Sequence, residues 1–318
     1  MKPAASPPLP APVQALLRHF RAQRPLRAGS LLITLFGDAI APRGGAVTLG
    51  SLIRLAAAFG LTERLVRTSV ARLARDGWLA ARRTGRRSEY RLTRSGAERF
   101  AEATRRIYGE NPQAWDGQWT LLLLPATRRP AAVRRELKWL GFGQLTPALF
   151  AHPGCTLAQA RASLRNVAGA QQALLLPCTS ADLAADRQLA ARGWNVRELA
   201  LRYRRFLARF APVEAALDME PFPPETAFLV RTLLIHEYRK IHLRDPLLPP
   251  ALLPRDWVGA SAYELCGRLY AQLFPGAESY LSVVAHQLQR PLPAANSAAH
   301  ARFGGVGTHA SATMRASG

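Results

Sequence analysis

Acidic side chains are scarce in this sequence: 21 aspartates and glutamates stand against 43 lysines and arginines, a formal net charge of +22. That deficit disfavours a basic macromolecule as the main partner and favours nucleic acid or another polyanion. Lysine is almost missing too, being confined to Lys2, Lys138 and Lys240, so arginine carries nearly all of the positive charge. A bias in base composition trades lysine for arginine, yet it does not by itself remove acids. Cysteine occurs three times, at Cys155, Cys178 and Cys266, odd in number and too widely spaced for a C-x-x-C knuckle. A disulfide framework is therefore excluded, and a reducing, cytoplasmic compartment is expected. The opening MKPAASPPLPAP lacks the apolar stretch of a secretory signal. No run approaches the roughly 18 apolar residues that cross a bilayer, so no membrane role is expected.

With 318 residues the chain has room for two or three compact domains. Five prolines in the first dozen residues suggest a disordered lead-in over 1–28. A small, polar, glycine-rich composition suggests a disordered tail over 289–318. Between them lie three blocks. Residues 29–110 read helix, helix, helix, strand, turn, strand, helix. Residues 115–195 alternate strand runs (WTLLLLPA, LTPALFAH, QQALLLPC) with helical stretches, as in a small α/β sandwich with helices on one side of a sheet. Residues 196–288 read as helical, interrupted by DPLLPPALLPRDW. Charge is uneven: residues 1–107 hold 20 basic and 6 acidic side chains, so the polyanion-facing part is the front.

In TLGSLIRLAAAFG, Leu49, Leu52, Ile53 and Ala56 follow the spacing of an amphipathic helix, and Gly60 is a natural stop. Thr62 can cap a second helix running from Arg64 to Asp76 and ended by Gly77. Two short helices across a tight glycine turn match a helix-turn-helix. At about 100° per residue, Val66, Val70 and Leu73 form a core stripe, flanked by Ser69 and Leu65. Arg64, Thr68, Ala71 and Arg75 point the other way, with Arg67 and Arg72 on the shoulders. Arginine can donate two hydrogen bonds to a guanine edge, and Ala71 keeps the helix slim. Arg64, Arg67 and Thr68 are therefore assigned to bases, and Arg72 or Arg75 to phosphates. The plainer reading of this face is a solvated basic surface. The segment after the helix favours DNA. Its strand, Thr84-Gly85-Arg86 turn and returning strand place Arg82, Arg83, Arg86 and Arg87 on one short hairpin, the wing of a winged helix-turn-helix. Thr93 then caps a helix from Arg94 to about Ile107.

These stretches resemble the PaaX family, repressors of phenylacetic acid catabolism. The resemblance rests on LFGD with PRGG (Leu35 to Asp38, Pro42 to Gly45) and on GLTERLVRTSVARLARDGWL. It continues through WLGFGQLTPALFAHP (Trp139 to Pro153) and LLIHEYRKIHLRDPLLPPALLPRDW (Leu233 to Trp257), so it covers all three blocks in order. It implies an α+β multidomain protein: an N-terminal winged helix-turn-helix, a central ferredoxin-like α/β domain similar to a small CRISPR-associated nuclease, and a helical C-terminal domain. It further implies a repressor that leaves its operator on binding phenylacetyl-CoA; a homodimer on a palindromic double-stranded operator, without cofactor, is expected. A regulator answering another aromatic acyl-CoA, or a DNA binder without an effector, is the alternative.

A CoA thioester needs cations for its phosphates and an apolar slot for its acyl end. Arg239, Lys240 and Arg244 can supply the first, and Tyr238, His242 and Trp257 part of the second. The competing reading of this cluster is a buried network holding the C-terminal helices together. Metal-dependent proteolysis does not fit, because Lys240 stands four residues after His236 where a second histidine is needed. Nuclease chemistry on the middle block lacks carboxylates: the strand from Trp119 to Pro125 has none, and only Asp116 precedes it. No phosphate-binding loop or nucleophile elbow occurs, and no enzyme activity is expected. An enzyme acting on nucleic acid or an aryl-CoA remains the rival class, which turnover by the purified protein would reveal.

Overall fold

The computed structural model describes residues 8–24, 27–109, 115–125, 131–165, 167, 169–288 and 290–305. They fall into two compact units. The first takes the described residues of Met1–Gly109, Arg205–Lys240 and Ala260–Gly318, and the second those of Glu110–Arg204 and Ile241–Gly259.

The first unit opens with helix α1 (Ala11–Ala22), where the sequence suggests a disordered lead-in. Val13, Leu16, Leu17 and Phe20 recur on one face and are buried, which outweighs the proline-rich composition around them. Phe20 meets the rings of Phe59 and His236 edge-on at 6.2 and 5.7 Å. Helix α2 (Ala28–Leu35) runs into a π-helical turn at Phe36–Ile40 and a 3-10 turn at Ala41–Arg43. A short strand β1 (Ala46–Thr48) comes next, then α3 (Leu49–Ala57) and α4 (Glu63–Arg75). Strands β2 (Leu79–Thr84) and β3 (Arg87–Leu92) form a hairpin, and α5 (Arg94–Tyr108) closes this part. The sheet order is β1-β3-β2, all antiparallel, with Val47 opposite Tyr90 and Ala81 opposite Tyr90 on its other side.

The second unit contains β4 (Trp119–Leu123), α6 (Ala131–Trp139), β5 (Gly143–Gln144), β6 (Leu149–Pro153), α7 (Leu157–Leu164), β7 (Leu174–Cys178) and α8 (Leu183–Gly193). Strand order is β5-β6-β4-β7, antiparallel throughout, the arrangement of a split β-α-β sandwich. Period-two alternation separates two cores. Leu122 and Phe150 face Val133, Leu137, Ala160 and Leu164 of α6 and α7. Trp119 and Ala151 face Ala190, Val196, Leu248 and Leu252. Both sheet faces are thus covered, rather than one. The proline-rich stretch after residue 241 belongs here and not to a separate helical domain, because Leu248 and Leu252 bury the Trp119 side of the sheet.

Three long helices complete the chain: α9 (Val196–Met219), α10 (Pro224–His242) and α11 (Gly259–Val284). From Arg205 and up to Lys240 they count with the first unit, as does α11 from Ala260. The expected tail also departs from expectation. Backbone beyond α11 pairs with the front of the unit: Thr48 N–H donates to the His286 carbonyl at 2.9 Å, and Asn296 N–H to the Pro42 carbonyl at 3.0 Å. A short helix α12 (Ser297–His300) lies beyond, and Leu292, Ala299, Arg302 and Phe303 are buried. Apolar and guanidinium groups with a buried destination order this segment despite its small-residue composition. The remaining parts of the expected lead-in and tail, 1–7, 25–26, 289 and 306–318, lie outside the described residues.

Candidate nucleic-acid interface

Three threonines fix the local geometry. Thr48 caps α3, Thr62 caps α4 by accepting from Leu65 N–H at 3.3 Å, and Thr93 caps α5 by accepting from Gly96 N–H at 2.9 Å. Gly60 at φ +80° and Gly77 at φ +75° let the chain leave α3 and α4 in the left-handed region. Helix α4 buries Val66, Val70 and Leu73. Its opposite side leaves Arg64, Arg67, Thr68, Ala71, Arg72 and Arg75 exposed, with Ser69 half-buried between the two.

These cations are held loosely. Arg67 Nε donates to Glu63 Oε1 at 2.7 Å, one turn back, with both side chains more than half exposed. Arg72 and Arg75 approach Asp76 at 3.7 and 4.0 Å. Exposed pairs of this kind contribute little and exchange readily for another anion. Thr68 Oγ1 donates to the Arg64 carbonyl at 2.9 Å, which leaves its lone pairs outward.

The hairpin behind α4 turns at Gly85 and Arg86, Gly85 having φ +58°. Every residue from Ala80 to Arg87 is exposed, so Arg82, Arg83, Arg86 and Arg87 stand in water on a strand pair with no core beneath its tip. Its base is anchored. Trp78 packs edge-on to Phe100 of α5 at 5.6 Å, with the Arg99 guanidinium 5.0 Å over the indole. The α5 backbone passes so near the Trp78 carbonyl that a Cβ at Gly96 would stand 2.4 Å from it.

The six residues assigned to an effector divide between the two units. Tyr238 is fully buried, its ring 5.6 Å from Phe206 and 6.3 Å from Phe303. Arg239 donates to the Ser30 carbonyl at 2.7 Å and to Thr34 Oγ1 at 2.8 Å, and Lys240 pairs with Glu237 at 3.0 Å. These three count with the first unit, and His242, Arg244 and Trp257 with the second. There His242 Nδ1 lies 3.0 Å from the Tyr203 hydroxyl, which donates to Asp245 at 2.7 Å, and Trp257 meets the Tyr203 ring at 5.7 Å. Arg244 is exposed at a small cavity beside Arg202 and Trp194.

Residues 27–96 match the family described as PaaX-like protein, 112–190 the PaaX protein central Cas2-like domain, and 194–283 the PaaX-like protein C-terminal domain. The chain is 36% identical over 304 residues to the transcriptional repressor PaaX of Escherichia coli strain K12, covering 92% of this chain and 95% of that one. The chain belongs to the PaaX-like family. Its fold is also similar to that of the uncharacterized protein Rv0674 from Mycobacterium tuberculosis, with TM-score 0.50 and 22% identity over 78% of this chain and 95% of the other.

Within this PaaX-like chain, the polar centre that sequence reading misses lies in the first unit around Asp38. Its carboxylate accepts from the Tyr108 and Tyr270 hydroxyls at 2.9 and 3.0 Å, from Arg302 at 2.8 Å and from Arg231 at 3.0 Å. Arg231 continues to Glu278 at 2.8 Å, which also pairs with Arg43. Burial pushes the Asp38 carboxyl up, but the two guanidiniums and two hydroxyls outweigh it and hold it below the usual value. The signal was available: Asp38 and Arg231 are lone charges inside the apolar runs LLITLFGDAI and AFLVRTLLI, where an ion needs a buried partner. Among the described residues no group of acids, histidines and cysteines is placed to hold a metal, and no helix is long and apolar enough to cross a membrane.

Proposed function

We propose that this chain represses phenylacetate catabolic genes by seating a winged helix-turn-helix, α3 and α4 with the β2–β3 hairpin, on its operator. Helix α4 enters the major groove with Arg64, Arg67 and Thr68 toward base edges, Ser69 at the margin of that face, and Arg72 and Arg75 toward phosphates. The hairpin rests Arg82, Arg83, Arg86 and Arg87 on flanking backbone. Two chains related by a two-fold axis bind half-sites one or more helical turns apart. The observation that carries this reading is the face of α4 itself: a buried Val66-Val70-Leu73 stripe backed by exposed arginines that no strong internal pair holds. An aryl-CoA such as phenylacetyl-CoA releases the complex by binding the DNA-free form more tightly, since a ligand indifferent to the two states shifts nothing.

A gel shift on the nearest aromatic-catabolism promoter tests both halves. Retardation by the purified protein, reversed by phenylacetyl-CoA and not by free phenylacetate, is the expected result. No retardation at any promoter of that class overturns the repressor assignment. Retardation untouched by a panel of acyl-CoA esters overturns the effector.

A further inference from the structure

In the second unit a cavity of 580 Å³ opens between the end of α8, the start of α9 and the segment around Leu252. Arg187, Arg192, Arg197 and Arg255 line it, and no carboxylate does. Arg187 Nε donates to the Ala251 carbonyl at 2.9 Å, which aims that guanidinium. Arg192, Arg197 and Arg255 are exposed, and among the described residues none of them makes an ion pair, so three cations line the cavity with no counter-charge beside them. Like charges gathered on one concave wall repel unless an anion sits among them, and guanidiniums match phosphate oxygens two at a time.

The floor is different in kind. Leu252 is buried, and Trp194 is half-buried with its ring pressed onto Gly143, where a Cβ would stand 2.6 Å from it. The indole is held there and beside Trp119, whose ring centre lies 6.2 Å away, and puts an apolar surface next to the charges. A volume of this size suits a ligand rather than a scatter of counter-ions.

We propose that this cavity binds a small ligand carrying at least two phosphate groups and a planar heterocycle, the nucleotide end of a CoA ester. The identification with CoA rests on the effector reading under Proposed function; the phosphate-and-ring class rests on the cavity alone. The diphosphate and ribose phosphate bridge Arg192, Arg197 and Arg255, and the base lies against Trp194.

The experiment uses full-length protein and two probes, adenosine 3′,5′-bisphosphate and phenylacetyl-CoA, titrated calorimetrically and in competition. Wild type is expected to bind both, each displacing the other. The paired exposed substitutions Arg192→Gln and Arg255→Gln weaken both by at least about tenfold, as loss of charge-assisted bonds requires, while ligand-free operator affinity is unchanged. Arg197→Gln serves as an independent variant with the same expected loss. Unaltered binding in these variants, or a bisphosphate that does not bind wild type, overturns the site; operator release by phenylacetyl-CoA then still stands. Loss of operator affinity in the paired variant also overturns it, because the arginines then contact DNA. Arginine-dependent binding of the bisphosphate without any effect of phenylacetyl-CoA keeps the cavity's ligand class and removes the effector reading instead.

Discussion

The arginines of α4 and the hairpin and those around Asp38 are the same side chain under opposite conditions. Outside, Arg72 and Arg75 keep about three-quarters of their surface in water and share one aspartate at 3.7 and 4.0 Å. Inside, Arg231 and Arg302 are almost wholly buried, and each reaches an Asp38 oxygen at 3.0 Å or less. Water solvates the outer set. The inner set has no water to fall back on, so fixed carboxylates and tyrosine hydroxyls must do the same task. A net charge of +22 therefore says little about where a given arginine acts; the count of nearby acids and the burial decide it.

Substitutions can break that contrast. The largest effect is expected from Asp38→Ala, which strands two buried guanidiniums and should cost about 3–5 kcal/mol in urea unfolding. Arg67→Ala should leave stability unchanged but weaken operator binding by about 1–3 kcal/mol and relax selectivity at one base pair. Replacing Arg86 and Arg87 together by alanine should lower affinity by about tenfold for most sequences alike. The log–log salt slope should fall by about two if both contact phosphates.

His236 sharpens the inner side. It is buried, with Nδ1 3.0 Å from Thr34 Oγ1. Burial, with Arg239 and Lys240 nearby, holds its pKa well below 6.5. The folded state keeps it neutral while the unfolded chain takes up a proton as pH falls through 6.5. Its contribution is thus complete above that pH and shrinks on acidification by at most about 1.4 kcal/mol per pH unit. Unfolding titrations between about pH 7 and about pH 5 should show that slope reduced in His236→Gln. The smallest effect belongs to Arg94, whose exposed pair with Glu98 at 3.3 Å should be removable without a measurable shift in Tm.

Legibility in the sequence tracks physical range. Caps and stops act within four residues, so Thr62, Gly77, Gly85 and Thr93 announced α4, the hairpin and α5 directly. Helix α1 was hidden because prolines at its start masked Val13, Leu16, Leu17 and Phe20, although Pro is well placed in a first turn. Strand β1 has only three residues and takes its identity from pairing with β3, a partner that nothing local declares. The cluster from Tyr238 to Arg244 announced its charges but not their partners, Ser30 and Thr34 for Arg239 and Glu237 for Lys240. Arg302 and Phe303 gave no local signal at all, since the groups that receive them lie far back in the chain.

The bond between Asp38 and Arg302 joins positions 264 residues apart. The other donors to Asp38 are made earlier, Tyr108 first, then Arg231 and Tyr270, so the carboxylate is answered in stages as the chain lengthens. A polypeptide interrupted before Arg302 already holds three of the four groups that meet Asp38 and lacks only the last guanidinium.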